Sequence, residues 1–404
     1  MQFGNLFLDN ISRKSLKNSD DVVFVGMQDV DENATIQNYH ELKYSEVKSG
    51  FTYFEKNDVL VAKITPCFEN GKGGFADETP TDVGFGSTEF HVLRAKPNVV
   101  PQYVYYQTKR ARFRNELEGD MVGSAGHRRV PLSSIQKFEL ETKHSFEEQT
   151  AIANALFDID NLITSIEKLI EKKRAIKTAT MQQLLTGKKR LPPFDKTHTG
   201  YKQTERGEIP KDWEIVNLGD IGQNIIGLTY SPDDVVEYGT LVLRSSNVQQ
   251  NKLAFDNNVF VDMDLPDRVI VKENDILVCV RNGSKRLIGK CALIDKRTVG
   301  LAFGAFMSIY RSNFNKFIFF QFQSNIIQKQ IDEIMGATIN QITNKDMAVF
   351  KIPLPNREDE QVAIAIVLSD MDKDINSLGI RLNKTKQIKQ GMMQELLTGR
   401  TRLV

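Results

Sequence analysis

Two stretches of this chain carry side chains suited to holding a polyanion and reading flat hydrogen-bonding edges. Arg281-Asn282-Gly283-Ser284-Lys285-Arg286 crowds guanidinium, ammonium, amide and hydroxyl donors together, and Asn340-Gln341 adds two more amides. Arginine and lysine answer phosphate oxygens and the O6/N7 edge of guanine, while asparagine and glutamine match adenine in the same two-point way. An earlier set holds Lys63, Asn70 and Lys72 in one loop and His127-Arg128-Arg129 in another, with Arg110, Arg112 and Arg114 between them. Taken singly, each cluster is what a solvated face also carries. Their placement adds weight. Lys63 to Lys72 follows Asn57-Asp58-Val59-Leu60-Val61, and Arg281 to Lys290 follows Asn274-Asp275-Ile276-Leu277-Val278. The same loop therefore occurs twice with different contents, as two readers of different sequences would require.

Catalytic chemistry is hard to assemble from the remaining residues. Leu191-Pro192-Pro193-Phe194 has the shape of an amino-methylation signature but lacks the polar first residue that would hold a target amine. Glu69-Asn70-Gly71-Lys72-Gly73-Gly74 is glycine-rich without the G-x-x-x-x-G-K-[ST] order of a phosphate loop. A nuclease centre drawn through Asp31, Glu41 and Lys43 rests on a pattern common in any chain this charged. His40, His91, His127, His144 and His198 show no metal-ligand spacing. The expectation is a non-catalytic chain with no metal and no cofactor of its own.

The loops must be carried by something, and an internal repeat shows what. Displacing the chain so that Gln149 falls on Gln361 aligns residues 149–191 with 361–403 without a gap, and close to half of the positions are identical. Identical pairs include Asp160 with Asp372, Lys177 with Lys389, and Leu184-Leu185-Thr186-Gly187 with Leu396-Leu397-Thr398-Gly399. A period this long makes a duplicated, two-fold pseudo-symmetric chain, not a solenoid. Each copy reads as a long helix. Leu156, Ile159, Ile163, Ile166 and Ile170 recur at spacings of three and four, and Leu368, Met371, Ile375, Leu378 and Leu382 do so in the second copy. Leu162, Leu169 and Ile176 are expected to widen the first stripe. Ser145 and Glu148 form a capping box, and Gly187 and Gly399 are the stops. Forty residues of helix span about 60 Å. The seams turn polar at Lys173 and Lys177 in one copy and at Thr385 and Lys389 in the other. Two seams of equal length are expected to pair as an antiparallel coiled coil.

Before each helix lies a block of short strands and helices. Val22–Val25, Asp58–Lys63 and Glu89–Leu93 read as strands in the first block, with one helix over Pro101–Leu117 whose aromatic face is Tyr103, Tyr106 and Phe113. Thr240–Leu243, Asp275–Val278 and Met307–Tyr310 are strands of the second. A diproline at Pro192-Pro193 ends the first helix and opens a polar linker.

Composition limits the function classes. The 404 residues hold 53 Lys+Arg against 52 Asp+Glu and are 40% hydrophobic, enough for two or three domains with cores of their own. That balance argues against a lone, tight, non-specific nucleic-acid binder, which is normally basic. No apolar run is long enough to span a bilayer and no signal peptide is visible. Cys67, Cys279 and Cys291 form no C-x-x-C pair, which suits a reducing cytoplasm.

The chain resembles the specificity subunit of type I restriction–modification systems. The motifs are Ile352-Pro353-Leu354-Pro355 followed by Glu360-Gln361-x-Ala363-Ile364, the paired M-Q-[QE]-L-L-T-G-[KR]-x-R-L helix ends, and Gly207-Glu208-Ile209-Pro210-Lys211-Asp212-Trp213-Glu214 with Leu218-Gly219-Asp220-Ile221. The first block departs from the pattern. It opens on Phe3-Gly4-Asn5-Leu6-Phe7, and its exit, Glu139-Leu140-Glu141-Thr142, lacks the prolines.

The resemblance implies an α+β fold: two pseudo-symmetric globular α/β target recognition domains separated by two long helices in an antiparallel coiled coil. The expected divisions are recognition domains at 1–144 and 207–355, helices at 145–190 and 356–404, and a linker at 191–206. Each domain is expected to read one half of a bipartite double-stranded DNA site, the helices setting the gap. Partners would be two modification subunits, bringing S-adenosylmethionine for adenine methylation, and two restriction subunits, bringing ATP and Mg. The competing readings are a self-contained methyltransferase or nuclease, and a coiled-coil nucleic-acid adaptor without sequence preference.

Overall fold

The computed structural model describes residues 1–124, 126–197, 200–335 and 340–403, which leaves His198 outside the described residues. The chain divides into two compact units, Met1–Lys168 with Gly379–Val404, and Leu169–Leu378. These divisions cut each long helix near its middle, where the expected boundaries kept each helix whole.

The first unit is built around the strand Val59–Ala62, all four residues of which are buried. It pairs antiparallel with Gly73–Phe75 on one side and Phe90–Leu93 on the other. A second sheet runs in the order His40–Lys43, Asp21–Val25, Val83–Gly86, Thr52–Glu55, its middle pair parallel. The second unit repeats this plan. Ile276–Cys279, also fully buried, lies between Cys291–Leu293 and Met307–Arg311, and Gln223–Ile226 adds an edge strand. Thr240–Leu243 runs parallel to Ala302–Phe303 as its counterpart pair does. Local chemistry explains why the N-D-[VI]-L-V runs start strands in the same way. Asn57 and Asn274 turn the chain at φ 70° and 66°, a conformation asparagine tolerates. The following aspartates are buried and each takes two hydrogen bonds from an arginine, Arg94 on Asp58 at 2.7 and 2.9 Å and Arg311 on Asp275 at 2.6 and 2.7 Å.

The single helix expected over Pro101–Leu117 is two helices, Pro101–Thr108 and Ala111–Glu118. Arg110 is extended at φ −69° and ψ 135°, and its buried guanidinium is bonded to Glu141 and to Gln107. Satisfying that charge overrides helical periodicity. Tyr103, Tyr106 and Phe113 are buried together with Phe3, Phe7 and Phe138 in the core of this unit.

The long helices run over Phe146–Leu184 and Glu358–Leu397. Ser145 and Glu148 close the capping box reciprocally at 3.0 and 3.2 Å. At the other ends Gly187 and Gly399 adopt φ 69° and 73°, where a side chain would be strained. Leu156, Ile159, Ile163, Ile166, Ile170 and Leu368 are buried, while Met371, Ile375, Leu378 and Leu382 are half-buried. Leu162, Leu169 and Ile176 do not widen the seam: they are 41%, 41% and 43% exposed. The partner helix covers only the narrow stripe, as in a two-stranded seam.

Within each unit the helices pair antiparallel. In the first, Glu167 meets Lys386 at 2.7 Å and Asp160 meets Lys389 at 2.5 Å. In the second, Lys173 meets Asp374 at 3.2 Å and Lys177 meets Asp372 at 2.7 Å. Lys177–Asp372 and Lys389–Asp160 are thus ion pairs between the repeated lysine of one helix and the repeated aspartate of the other, which reward one register over a slipped one, while Thr385 donates to Arg381 O at 2.9 Å within its own helix.

The helix ends close onto the globular cores. Leu396 and Leu397 are buried with Val104, Phe113 and Leu140 in the first unit, and Leu184 and Leu185 with Trp213, Phe317 and Ile352 in the second. Buried glutamines tie them down: Gln107 Nε2 donates to Leu397 O at 3.5 Å, and Gln321 Nε2 to Leu185 O at 3.1 Å. The expected linker 191–206 is more structured than a polar connection. It contains a 3-10 turn, Phe194–Thr197, and the strand Tyr201–Thr204, which pairs with Gly207–Pro210. The first block's divergent edges are also paired: Gln2 bridges Glu139, where the second block pairs Trp213–Asn217 with Lys351–Pro355.

Candidate nucleic-acid interface

In the second unit the chain leaves Ile276–Cys279 and folds back on a segment sixty residues further on. Arg281 bridges Gln341, Ile342 N donates to Val280 O at 2.9 Å, and Asn282 N to Asn340 O at 3.3 Å. Asn340 Nδ2 donates to Gly283 O at 2.9 Å. The two clusters singled out by composition are thus one surface. Its amides are mostly committed to shape: Asn282 Nδ2 donates to Ser245 Oγ at 2.8 Å while its Oδ1 accepts Ser284 N at 3.0 Å. The charged donors are not committed. Arg281, Lys285 and Arg286 are exposed, and none has a carboxylate partner among the described residues. Lys290, which closes this loop, is turned inward onto the carbonyls of Ser245 and Val248, and burial lowers its pKa.

The first unit folds the equivalent loops together in the same way. Ile64 bridges Arg129, Thr65 N donates to Arg128 O at 2.9 Å, and Val130 N to Lys63 O at 2.9 Å. Here the charge is spent internally. Arg129 grips both oxygens of Glu89, which lowers the Glu89 pKa, and Arg128 lies 3.6 Å from Glu69. Lys72 donates to Met27 O at 3.1 Å and Asn70 to Glu32 at 3.1 Å. Lys72 is a brace like Lys290, not an exposed donor. Lys63 is half-buried and His127 exposed. The Arg110, Arg112 and Arg114 cluster is likewise no outward array. Arg112 pairs with Glu116 and Glu141, and buried Arg114, its pKa lowered by burial to about 10, donates to the carbonyls of Phe68 and Gly71.

The residues weighed for catalysis do not converge. Asp31 shapes its own turn by accepting from Asn33, Thr35 and Gln37, and Lys43 pairs with Asp21 at 2.6 Å. Phe194 is packed, with the Arg357 guanidinium 5.0 Å from its ring centre. Among the described residues no three His, Cys, Asp or Glu side chains form a metal-holding group, and no helix is long and apolar enough to cross a membrane.

The type I restriction modification DNA specificity domain model matches residues 9–177 and 210–389. The chain belongs to that family. Each match takes in one block and most of its helix, so the DNA specificity domain occurs twice, as the repeat requires. The subunit is 30% identical over 268 residues to the type I restriction enzyme MjaVIII specificity subunit of Methanocaldococcus jannaschii, covering 64% of this chain and 61% of that relative. It is 28% identical to the putative MjaX specificity subunit of the same organism, covering 86% of this chain and 79% of the other. The EcoAI specificity subunit of Escherichia coli is 22% identical over 86% of this chain and 71% of its own. Solved structures share the fold. The type I specificity subunit of M. genitalium superposes with a TM-score of 0.58 at 15% identity, covering 98% of this chain and 95% of that one. A chain from a type I R-M system solved for its assembly and conformational transition gives 0.57 at 16%, covering 99% and 97%.

Composition missed two kinds of residue in this specificity subunit. The braces Asp58–Arg94 and Asp275–Arg311 carried a signal, because the repeated N-D-[VI]-L-V run holds the aspartate and the arginine follows at the same interval in both blocks. Phe306 and Ser245 carried none. They reach the second loop only through the tertiary fold, with Phe306 O accepting from both Val280 N and Arg281 N.

Proposed function

We propose that this chain is the DNA-reading, non-catalytic subunit of a type I restriction–modification complex, each globular block reading one half of a bipartite site. The observation that carries the reading is that the specificity-domain match falls on both repeats, each of which brings two distant polar loops to one surface beside its buried central strand. The contents of those surfaces differ, as an asymmetric target demands. The long helices set the gap between half-sites and seat two modification subunits, with two restriction subunits completing the assembly in the cytoplasm. S-adenosylmethionine, ATP and Mg belong to those partners. The chain's net charge of +1 accords with a division of labour in which partners closing around the duplex supply much of the backbone affinity.

Footprinting of the full chain with a modification subunit on duplex DNA tests this. Two protected patches separated by an unread gap are expected. Uniform protection along any sequence would favour the non-specific adaptor, and methylation or cleavage by the purified chain alone would overturn the non-catalytic assignment.

A further inference from the structure

Phe306 is an aromatic side chain left 54% exposed beside the polar loop of the second block. The Arg281 guanidinium lies over its ring, 4.9 Å from the centroid. The two residues are not brought together by chance rotamers. Val280 N and Arg281 N donate to Phe306 O at 3.0 and 3.1 Å, and Arg281 is bridged on its other side to Gln341. Backbone on both sides therefore holds the root of the arginine, and the ring holds its head. No carboxylate competes for that head among the described residues, whereas Arg129 across the first block's bridge is taken by Glu89. In the first block the position matching Arg281 is Ile64.

A guanidinium lying over an aromatic face has its head held in place while N–H groups stay available, and a planar fork of donors matches a planar pair of acceptors. In the major groove that pair is O6 and N7 of guanine. Lys285 and Arg286, exposed on a 3-10 turn with no such platform among the described residues, are suited to phosphates as simple charges. We infer that Phe306 is a specificity-determining positioning residue, carrying Arg281 as a preset fork for one guanine in the half-site read by the second block. This rests on the DNA-reading function proposed above.

The test is selection from a random duplex library by the full chain with its modification subunit, comparing wild type with R281K, F306A and F306Y. R281K keeps the charge and loses the fork. It should lower the preference for guanine at one position by roughly 5- to 150-fold, the discrimination a two-point contact supplies, leaving the other half-site unchanged. F306A should relax that same position to a lesser degree, and F306Y should retain it. Because Phe306 is half exposed, an unfolding midpoint equal to wild type is expected and separates positioning from folding. Weakening that is uniform over all sequences would make Arg281 a phosphate contact and overturn the inference. So would an effect of F306A at a different position from R281K, or no effect of either. If wild type itself selects no bipartite sequence, it is the proposed function that fails.

Discussion

The loop after Val59–Ala62 and the loop after Ile276–Cys279 sit at the same place in the same topology, yet their electrostatics are opposite. In the first, Arg129 and Arg128 are answered by Glu89 and Glu69, and Lys72 is turned onto a carbonyl. In the second, Arg281, Lys285 and Arg286 stand exposed without carboxylate partners among the described residues. The scaffold beneath is held constant by the aspartate–arginine braces, by inward lysines and by helix ends tied through buried glutamines. The lesson is that duplication preserved the parts that hold a loop in place and released the parts that face outward. A count of basic residues does not distinguish the two loops; only their pairing does.

If the blocks are independent readers, exchanging one should have the largest effect of any change. Replacing residues 1–144 by the corresponding block of another family member is expected to switch one half-site entirely, read as the methylated adenines in a host carrying the complex. A change in both halves would end the two-reader comparison. Next is the spacing. Leu184 and Leu185 are buried in the second unit's core, so added residues belong in the middle of the helices and not at Thr186–Gly187. Four residues inserted after Lys168 and four after Leu378 lengthen each helix by about 6 Å, close to two base pairs of rise. Selected sites should then have a gap one or two base pairs longer with both halves unchanged. An unchanged gap would show that the helices are not the ruler.

The matching glutamates in the first turns of the two long helices, Glu148 and Glu360, each hold an arginine, and those arginines differ in burial. Glu360 and Arg190 are both 1% exposed at their side chains, and Arg190 keeps Asp212 at 2.8 Å as its second carboxylate, so Glu360→Gln should cost about 1–3 kcal/mol in urea unfolding. Its counterpart Glu148 pairs with Arg402, which is 48% exposed, so Glu148→Gln should cost distinctly less. Equal losses would mean that the two units hold their helices in the same way. On DNA, Lys285→Ala should reduce the slope of log affinity against log salt by about 1. Arg129→Ala should change it less, because Glu89 already offsets that charge. A larger effect at Arg129 would show that the first block's loop, not the second's, offers the free phosphate contact.

The smallest expected effect is on acid stability. Arg402, with help from the Ser145 N–H, holds the Glu148 carboxyl at about 2, below its ordinary 4.5. A depressed carboxyl stabilises the folded state above pH 4.5, and that contribution fades as pH falls toward 2. Glu141 follows the same sign. Burial pushes its carboxyl up, but Arg110 and its neighbours bring it down to about 2. Glu148→Gln should therefore flatten part of the fall in unfolding midpoint between pH 5 and 2. An acid limb as steep as wild type would assign it to other groups.

The amino-acid sequence alone determined the repeat, the two long helices with their caps and stops, and the strands that open on N-D-[VI]-L-V. These are local matters: spacing of apolar residues, a capping box, a glycine stop and an asparagine turn act within a few residues of one another. It also marked Arg281, Lys285 and Arg286. Tertiary structure decided which charges are free. Arg129 and Glu89 are forty residues apart, Arg110 and Glu141 thirty-one, and Lys72 meets Met27 across forty-five. An ion pair forms wherever folding brings opposite charges together, and nothing in the local pattern reports that distance. The same holds for the break at Arg110, for the exposure of Leu162, Leu169 and Ile176 beside a seam only one helix wide, and for Phe306 beneath Arg281. Each depends on which surface a remote segment covers, and that is settled only when the whole unit packs.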